Sequence, residues 1–289
     1  MITQQKVIVA VMETDSAETD MYNFTVMHQN EQVARVQVSD DHLSPEAIVM
    51  VSGSSIGTQR KYYDKGYWYK QNRNGYEGRA EYLAAVVLSC SNIDDYVEYE
   101  CCKINGIDGC RSLNFLGEGD SYISLQRLYD IYHGGQLSER IRLYDNVSER
   151  IDFVVEFTEN LTGLNIREYL GKLLTLDMLI VNVDRHFNNI GIIANSIEGR
   201  YRPAPVFDNG NSLLSDLGRY DHEDSLAGNI DKATGHPFCA NLERQAMELG
   251  FGLKINYCEL QSKLDSEPDS RALEVLRMQL RKYESIVAL

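Results

Sequence analysis

Hydrophobic and polar positions change rhythm at Gly117-Glu-Gly-Asp120. Ahead of it lie short runs of β-branched and aromatic residues parted by turn residues. Residues 6–12 form one such run, and residues 23–27 and 33–38 flank His28-Gln-Asn-Glu31 as a hairpin would, with Ala34, Val36 and Val38 alternating with polar neighbours. After a polar break at 39–45, Val49-Met-Val51 leads into a loop over 52–61. Tyr62-Tyr63 and Tyr67-Trp-Tyr-Lys70 then face each other across Asp64-Lys-Gly66, a second hairpin. The spacing predicts a helix over 78–90, with Leu83, Val86, Val87 and Cys90 on one face, and strands over 96–104 and 111–116 joined by a turn at 105–109.

Beyond Asp120 apolar residues recur in helical steps. The strongest case is 161–181, where Ile166, Leu170, Leu173, Leu176 and Ile180 share a face. Residues 190–194 read as a strand, 195–199 as a turn and 203–206 as another apolar run. The polar stretch 209–237, rich in Gly and Asp, is expected to be mobile, with short helices over 241–249 and 257–264. Pro268 is expected to open a last helix whose stripe of Leu273, Leu276, Leu280, Tyr283 and Val287 belongs to the core.

With 289 residues, 43% of them hydrophobic, the chain can hold one two-lobed domain or two small ones. No secretory signal or membrane span is evident, since runs such as 7–12 and 176–181 fall far short of the roughly 20 residues a span needs. Six cysteines without a CxxC pair suit a reducing cytoplasm. A net charge of −15 disfavours direct nucleic-acid binding, and no basic amphipathic segment is present for docking on a membrane.

Candidate chemistry sits in Asn182-Val-Asp184-Arg-His186-Phe-Asn-Asn189 and the following Val206-Phe-Asp208-Asn-Gly210. Phosphoryl transfer from a nucleotide needs one carboxylate to meet the attacking hydroxyl. It also needs an amide oxygen and a second carboxylate to hold magnesium against the phosphates. Asp184, Asn189 and Asp208 come in that order. The plain alternative, a polar turn after a helix, explains the first motif but not its distance from Phe-Asp-Asn-Gly. The loop from Gly53 to Gly57 and on to Lys61 places small residues between two strands, where backbone N–H groups can approach phosphate oxygens. Lys70 ends an aromatic strand, and Glu81 on the next helix, preferred to Glu77, is its expected ion-pair partner. His186 could join Asp184, Asp208 and His222 around a metal, but no HxH or HxxxH pair accompanies it, so a role in orienting the loop is favoured.

On these residues the chain resembles the HipA-like kinases, bacterial toxins and their solitary relatives, which share D-R-H-x-x-N with phosphoinositide kinases. The resemblance runs from about Ser52 to about Glu248. It is most specific at 184–189 with Phe207-Asp208, and at Ser54-Ser-Ile-Gly57-Thr-Gln59-Arg-Lys61, which fits S-x-x-G-x-Q-x-K; Glu81-Tyr-Leu and His236-Pro-Phe238 match more loosely. It implies an α+β, two-lobed protein-kinase-like fold: an extension over 1–45, a β-rich lobe over 46–117 and a helical lobe over 118–289. It implies ATP and Mg2+, Asp184 as base, Asn189 and Asp208 on the metal, and Lys70 and Lys61 on the phosphates, with Ser54, Gly57 and Gln59 in the covering loop. Leu113 and Phe115 would lie near adenine, and Ser54 would be a site of autophosphorylation. A protein carrying Ser or Thr is the expected acceptor and an antitoxin an implied partner. A lipid or small-molecule acceptor, and a pseudokinase that only holds a partner, remain open. Arg185 and Asn188 stand where many of the toxins carry Gly and Lys.

Overall fold

The computed structural model describes three short strands, β1 (Phe24–His28), β2 (Glu31–Val36) and β3 (Ile48–Met50), and residues 61–289. The strand expected over 6–12 and the loop over 52–60, with Ser54, Gly57 and Gln59, lie outside the described residues. Contacts divide the chain into two compact units. One takes the residues up to Arg73 together with Tyr99–Asn114, the other Asn74–Glu98 together with Phe115–Leu289.

In the first unit β1 and β2 pair antiparallel, Thr25 opposite Arg35, as the alternation predicts. A separate antiparallel sheet joins β3, β4 (Lys61–Asp64), β5 (Tyr67–Gln71), β6 (Glu100–Ile104) and β7 (Ile107–Leu113) in the order β3-β4-β5-β7-β6. Lys65 and Gly66 between β4 and β5 have φ of +47° and +86°, the left-handed pair that a two-residue hairpin turn of matching twist requires. Asn105 and Gly106 do the same between β6 and β7, with φ of +53° and +74°. That tight Asn-Gly turn shortens the connection expected over 105–109, so β7 begins at Ile107 and β6 at Glu100. The register sets Lys61 directly opposite Lys70, and Lys70 opposite Cys110. Gly109 permits this approach, since a Cβ there would stand 2.2 Å from the Lys70 carbonyl oxygen.

The second unit contains α1 (Glu77–Leu88), α2 (Leu125–His133), α3 (Leu137–Ile141), α4 (Val147–Thr162), α5 (Arg167–Leu179), α6 (Leu226–Asp231), α7 (Leu242–Glu248), α8 (Tyr257–Asp265) and α9 (Arg271–Val287). It also holds a small antiparallel sheet, β10-β9-β8, of β8 (Asp120–Ser124), β9 (Gly191–Asn195) and β10 (Arg200–Pro203). The helix expected over 161–181 is divided. Gly163, left-handed at φ +73°, closes α4, and α5 starts only at Arg167. Its predicted face is right: Ile166, Leu170, Leu173, Leu176 and Ile180 are all buried. α9 starts at Arg271 because the Ser270 hydroxyl accepts from the Leu273 N–H at 3.3 Å, a side-chain cap that Pro268 cannot supply. The stretch 209–237, expected to be mobile, carries α6 and buries Leu213, Leu214 and Tyr220. Among the described residues no helix is long and apolar enough to cross a membrane.

The α9 stripe enters one continuous core with Leu83, Leu173 and Leu253. Leu276 is fully buried there, and Leu276→Ala is expected to cost about 2–5 kcal/mol, lost transfer plus residual cavity. Urea unfolding checks this, and an unchanged midpoint would remove the stripe from the core.

Candidate active site

The site grows from the end of α5. After its cap at Ile180 the chain reverses through Val181, at φ +54°, and enters the loop 182–190. Asn182 is fully buried and works in two directions. Its amide donates to Asp177 Oδ1 at 2.9 Å, and its Oδ1 accepts from the Asp184 N–H at 3.0 Å. The loop then closes on itself. Asn189 Oδ1 accepts from the His186 N–H at 2.9 Å, while Asn189 Nδ2 lies 3.3 Å from the Asp184 carbonyl. Asp184 is partly exposed, with Oδ2 accepting from Asn211 Nδ2 at 2.7 Å.

Arg185 holds the second motif to the first. Its guanidinium and the Asp177 carboxylate are both fully buried and meet through Nε at 2.9 Å and Nη2 at 2.9 Å. Nη1 donates to the Phe207 carbonyl at 2.8 Å and Nη2 to Asn209 Oδ1 at 2.5 Å. The residues on either side of Asp208 are therefore fixed by one side chain of the loop. Burial pushes the Asp177 carboxyl up and Arg185 pulls it back. Burial also opposes the charge on Arg185, but Asp177 outweighs it and Arg185 keeps its proton.

Further bonds run beside this one. The Val183 N–H donates to the Asn211 carbonyl at 3.1 Å and the Leu213 N–H to the Ile180 carbonyl at 2.7 Å. From α1, the fully buried Glu81 accepts from the Asn209 N–H at 2.7 Å. Upstream, Val206 exchanges backbone bonds with Asp95 and Val97, which sets the approach to Phe207. Tyr122 on β8 spans the two motifs. Its hydroxyl donates to the Asn188 carbonyl at 2.9 Å, and its ring meets Phe207 edge-on at 5.4 Å. Burial foremost, then the charges of Tyr169 and Asp208, hold its phenol well above the usual range, so it stays a donor. Asn189 and Asp208 each neighbour a residue that Tyr122 touches.

The backbone here is strained. Asp208, Leu213 and Leu214 have φ of +60°, +53° and +59°. Aspartate tolerates that region, but leucine rarely occupies it. The Tyr76 hydroxyl, 2.9 and 3.0 Å from the carbonyls of Leu213 and Leu214, holds the second bend, and burial pushes its phenol up to about 12.

The structure thus brings Asp184, Asn189 and Asp208 into one hydrogen-bonded assembly, with Glu81 on it. Glu81, expected to serve Lys70, has the Asn209 N–H as a partner in its own unit. His186 orients the loop through its backbone, while its Nδ1 is buried without a partner. His222 faces Arg271 at 3.3 Å. Among the described residues no group of three or more His, Cys, Asp or Glu is placed to hold a metal ion. Phe115 meets Tyr122 edge-on at 6.2 Å and Phe207 at a tilt at 5.4 Å, whereas Leu113 ends β7 and is 60% exposed. In the sheet unit Lys70 is buried, its Nζ 3.5 Å from the Tyr99 hydroxyl, and Lys61 stands opposite it. Asn182 and Arg185 lie within the motif read from the sequence, which assigned no role to them, to Asp177 or to Asn211. The one signal was an acid inside the apolar face of α5.

No protein-family model and no curated protein matches the chain. Among solved structures, the Helicobacter pylori proinflammatory kinase CtkA is similar over 81% of this chain and 90% of its own, at 16% identity and a TM-score of 0.57. A Shewanella oneidensis HipA, solved with HipB and operator DNA, is similar over 86% of this chain and 75% of its own, at 12% identity and a TM-score of 0.48. At such identities the likeness to CtkA speaks for the fold alone: the chain has an α+β, protein-kinase-like fold.

Proposed function

We propose that the chain is an ATP- and magnesium-dependent phosphotransferase that phosphorylates a Ser or Thr hydroxyl on a protein. The observation that carries this reading is Arg185, which fastens Phe207 and Asn209, and so Asp208, to the loop bearing Asp184 and Asn189. Asp184 is the base: it is partly exposed, and the Asn211 amide orients its carboxylate. Asn189 and Asp208 suit a hard cation. Asn189 Oδ1 accepts one hydrogen bond and retains a second lone pair, and Asp208 adds a carboxylate. A magnesium ion there would neutralise charge on the phosphates.

Lys70 and Lys61 are assigned to the phosphates. They stand directly opposite each other on neighbouring strands, where both could reach one anionic group. Ser54, Gly57 and Gln59 belong to the covering loop, Ser54 being the candidate for autophosphorylation, and Leu113 and Phe115 to the adenine side. Residues 46–117 and 118–289 are the kinase lobes in this reading, after an extension over 1–45. A toxin role and an antitoxin partner rest on the sequence resemblance and belong to the same proposal.

Asp184→Asn is expected to slow transfer from labelled ATP by about 10²–10⁴-fold while leaving the nucleotide dissociation constant near the wild-type value. Transfer at the wild-type rate would remove Asp184 as the base. Arg185→Met, which leaves the Asp177 charge buried alone, is expected to cost about 3–5 kcal/mol of stability. Adding Asp177→Asn should restore part of that stability without restoring transfer, since the tie to Phe207 and Asn209 is still missing. Recovery of activity in the double variant would show that the tie is dispensable.

A further inference from the structure

The loop of Asp184 has a second side, which neither the nucleotide nor the metal reading uses. Three surface segments converge on it within the helical unit. Arg150 joins two of them: its Nε and Nη2 donate to the Tyr144 carbonyl at 3.1 and 3.0 Å, and its Nη1 donates to the Phe238 carbonyl at 2.8 Å. That single guanidinium ties the turn after α3, which carries Arg142, to the turn that carries His236. Phe238 in turn meets Phe187 of the loop edge-on at 5.6 Å. The third segment is tied on by Arg219, whose Nη2 donates to Thr234 Oγ1 at 3.0 Å while its guanidinium lies 5.4 Å from the Tyr220 ring centre.

His236 marks where these meet. Partial burial lowers its pKa first, Asp184 opposes the shift, and Arg219, His186 and Arg142 add to it. The imidazole is therefore neutral at neutral pH, and the positive charge around Asp184 on this side comes from Arg142 and Arg219. Both are exposed, and neither forms an ion pair among the described residues. The nearby Asp216 is turned to its own backbone, accepting from the N–H groups of Gly218 and Arg219. The chain as a whole carries −15, but at physiological ionic strength charges act over only about 8 Å. Asp184 and the two arginines all act on His236, so a segment seated at Asp184 comes within their field.

We propose that the acceptor is a Ser or Thr within an acidic stretch of a protein, held by Arg142 and Arg219 beside the loop of Asp184. This rests on the kinase reading and names its substrate class.

The test is transfer from labelled ATP by the full chain to a series of serine peptides differing only in flanking residues, Asp/Glu, Ala or Lys. The wild type is expected to show kcat/KM at least about 10-fold higher for the acidic than for the basic peptide. Arg142→Ala and Arg219→Ala should each reduce that ratio by up to about 5-fold, the range of an exposed ion pair, mainly through KM. The double reversal Arg142→Glu/Arg219→Glu should invert it. The ratio is internal to each variant, so a general loss of activity leaves it unmoved. Equal rates on acidic and basic peptides, or an unaltered preference in the double reversal, would overturn the proposal while leaving the kinase reading standing. Transfer to vesicles of anionic lipid and to no peptide would overturn it as well. Absence of transfer to any acceptor, the chain's own serines included, would overturn both.

Discussion

The arrangement of the site depends on one buried ion pair. Taking Asp177 and Arg185 out of water costs several kcal/mol for each ion, and their attraction offsets this only if the remaining hydrogen-bonding capacity is filled. Here it is. Arg185 gives Nε and Nη2 to the carboxylate, Nη1 to the Phe207 carbonyl and Nη2 again to Asn209, while Asn182 takes a further place on Asp177. A lysine could reach Asp177 but has no planar fork with which to reach Phe207 and Asn209 as well. The pair therefore adds little net stability. It selects one arrangement of two loops that are otherwise joined by backbone bonds, the Asn211–Asp184 side-chain bond and Tyr122, and it fixes the residues on either side of Asp208.

The strained segment depends on the same fixation. A non-glycine residue in the left-handed region costs on the order of 1–3 kcal/mol and persists only when its surroundings over-determine it. Asp208 lies between Phe207 and Asn209, both gripped by Arg185, with Glu81 on the Asn209 N–H. Leu213 and Leu214 lie between the Ile180 carbonyl and the Tyr76 hydroxyl, and both leucine side chains are buried. A carboxylate held in this way does not reorganise when charge arrives beside it, which is the form of preorganisation that electrostatic catalysis uses.

Local chemistry made much of this legible in the sequence. Asp-Lys-Gly announced the tight β4–β5 hairpin, because few residue pairs accept two positive φ values in succession, while the turn expected over 105–109 closed more tightly at Asn105-Gly106. The helical spacing on α5 and α9 announced the buried faces, and the order Asp184, Asn189, Asp208 announced the assembly. What was missed lay in relations between distant residues. Asp177 looked like an interruption in an apolar face, and only its partner eight positions on explains it. The pairing of β8 with β9 joins residues far apart in the chain, such as Ser124 and Gly191, which periodicity cannot report. The stretch 209–237 was read as mobile from composition, yet its polar residues serve as buried hydrogen-bonding partners: Ser215 bonds the Gly210 carbonyl, and Asn229 bonds the Asp221 carbonyl.

Departures from local rules are few. Most elements obey them, with side-chain caps at Ser124, Asn146, Asn241, Asn256 and Ser270 and apolar faces turned inward. Exceptions include two lysines opposed across β4 and β5, a buried arginine and aspartate, and left-handed non-glycine residues at 181, 208, 213 and 214, with Phe251 a further left-handed residue elsewhere. Each is unfavourable taken alone, and Lys61, Lys70, Arg185 and Asp208 lie on or beside residues that the sequence had assigned to phosphoryl transfer. A fold under selection for stability alone would remove such features, since ordinary substitutions relieve them. That several of them adjoin the residues proposed for phosphoryl transfer is expected of a site maintained at the expense of stability.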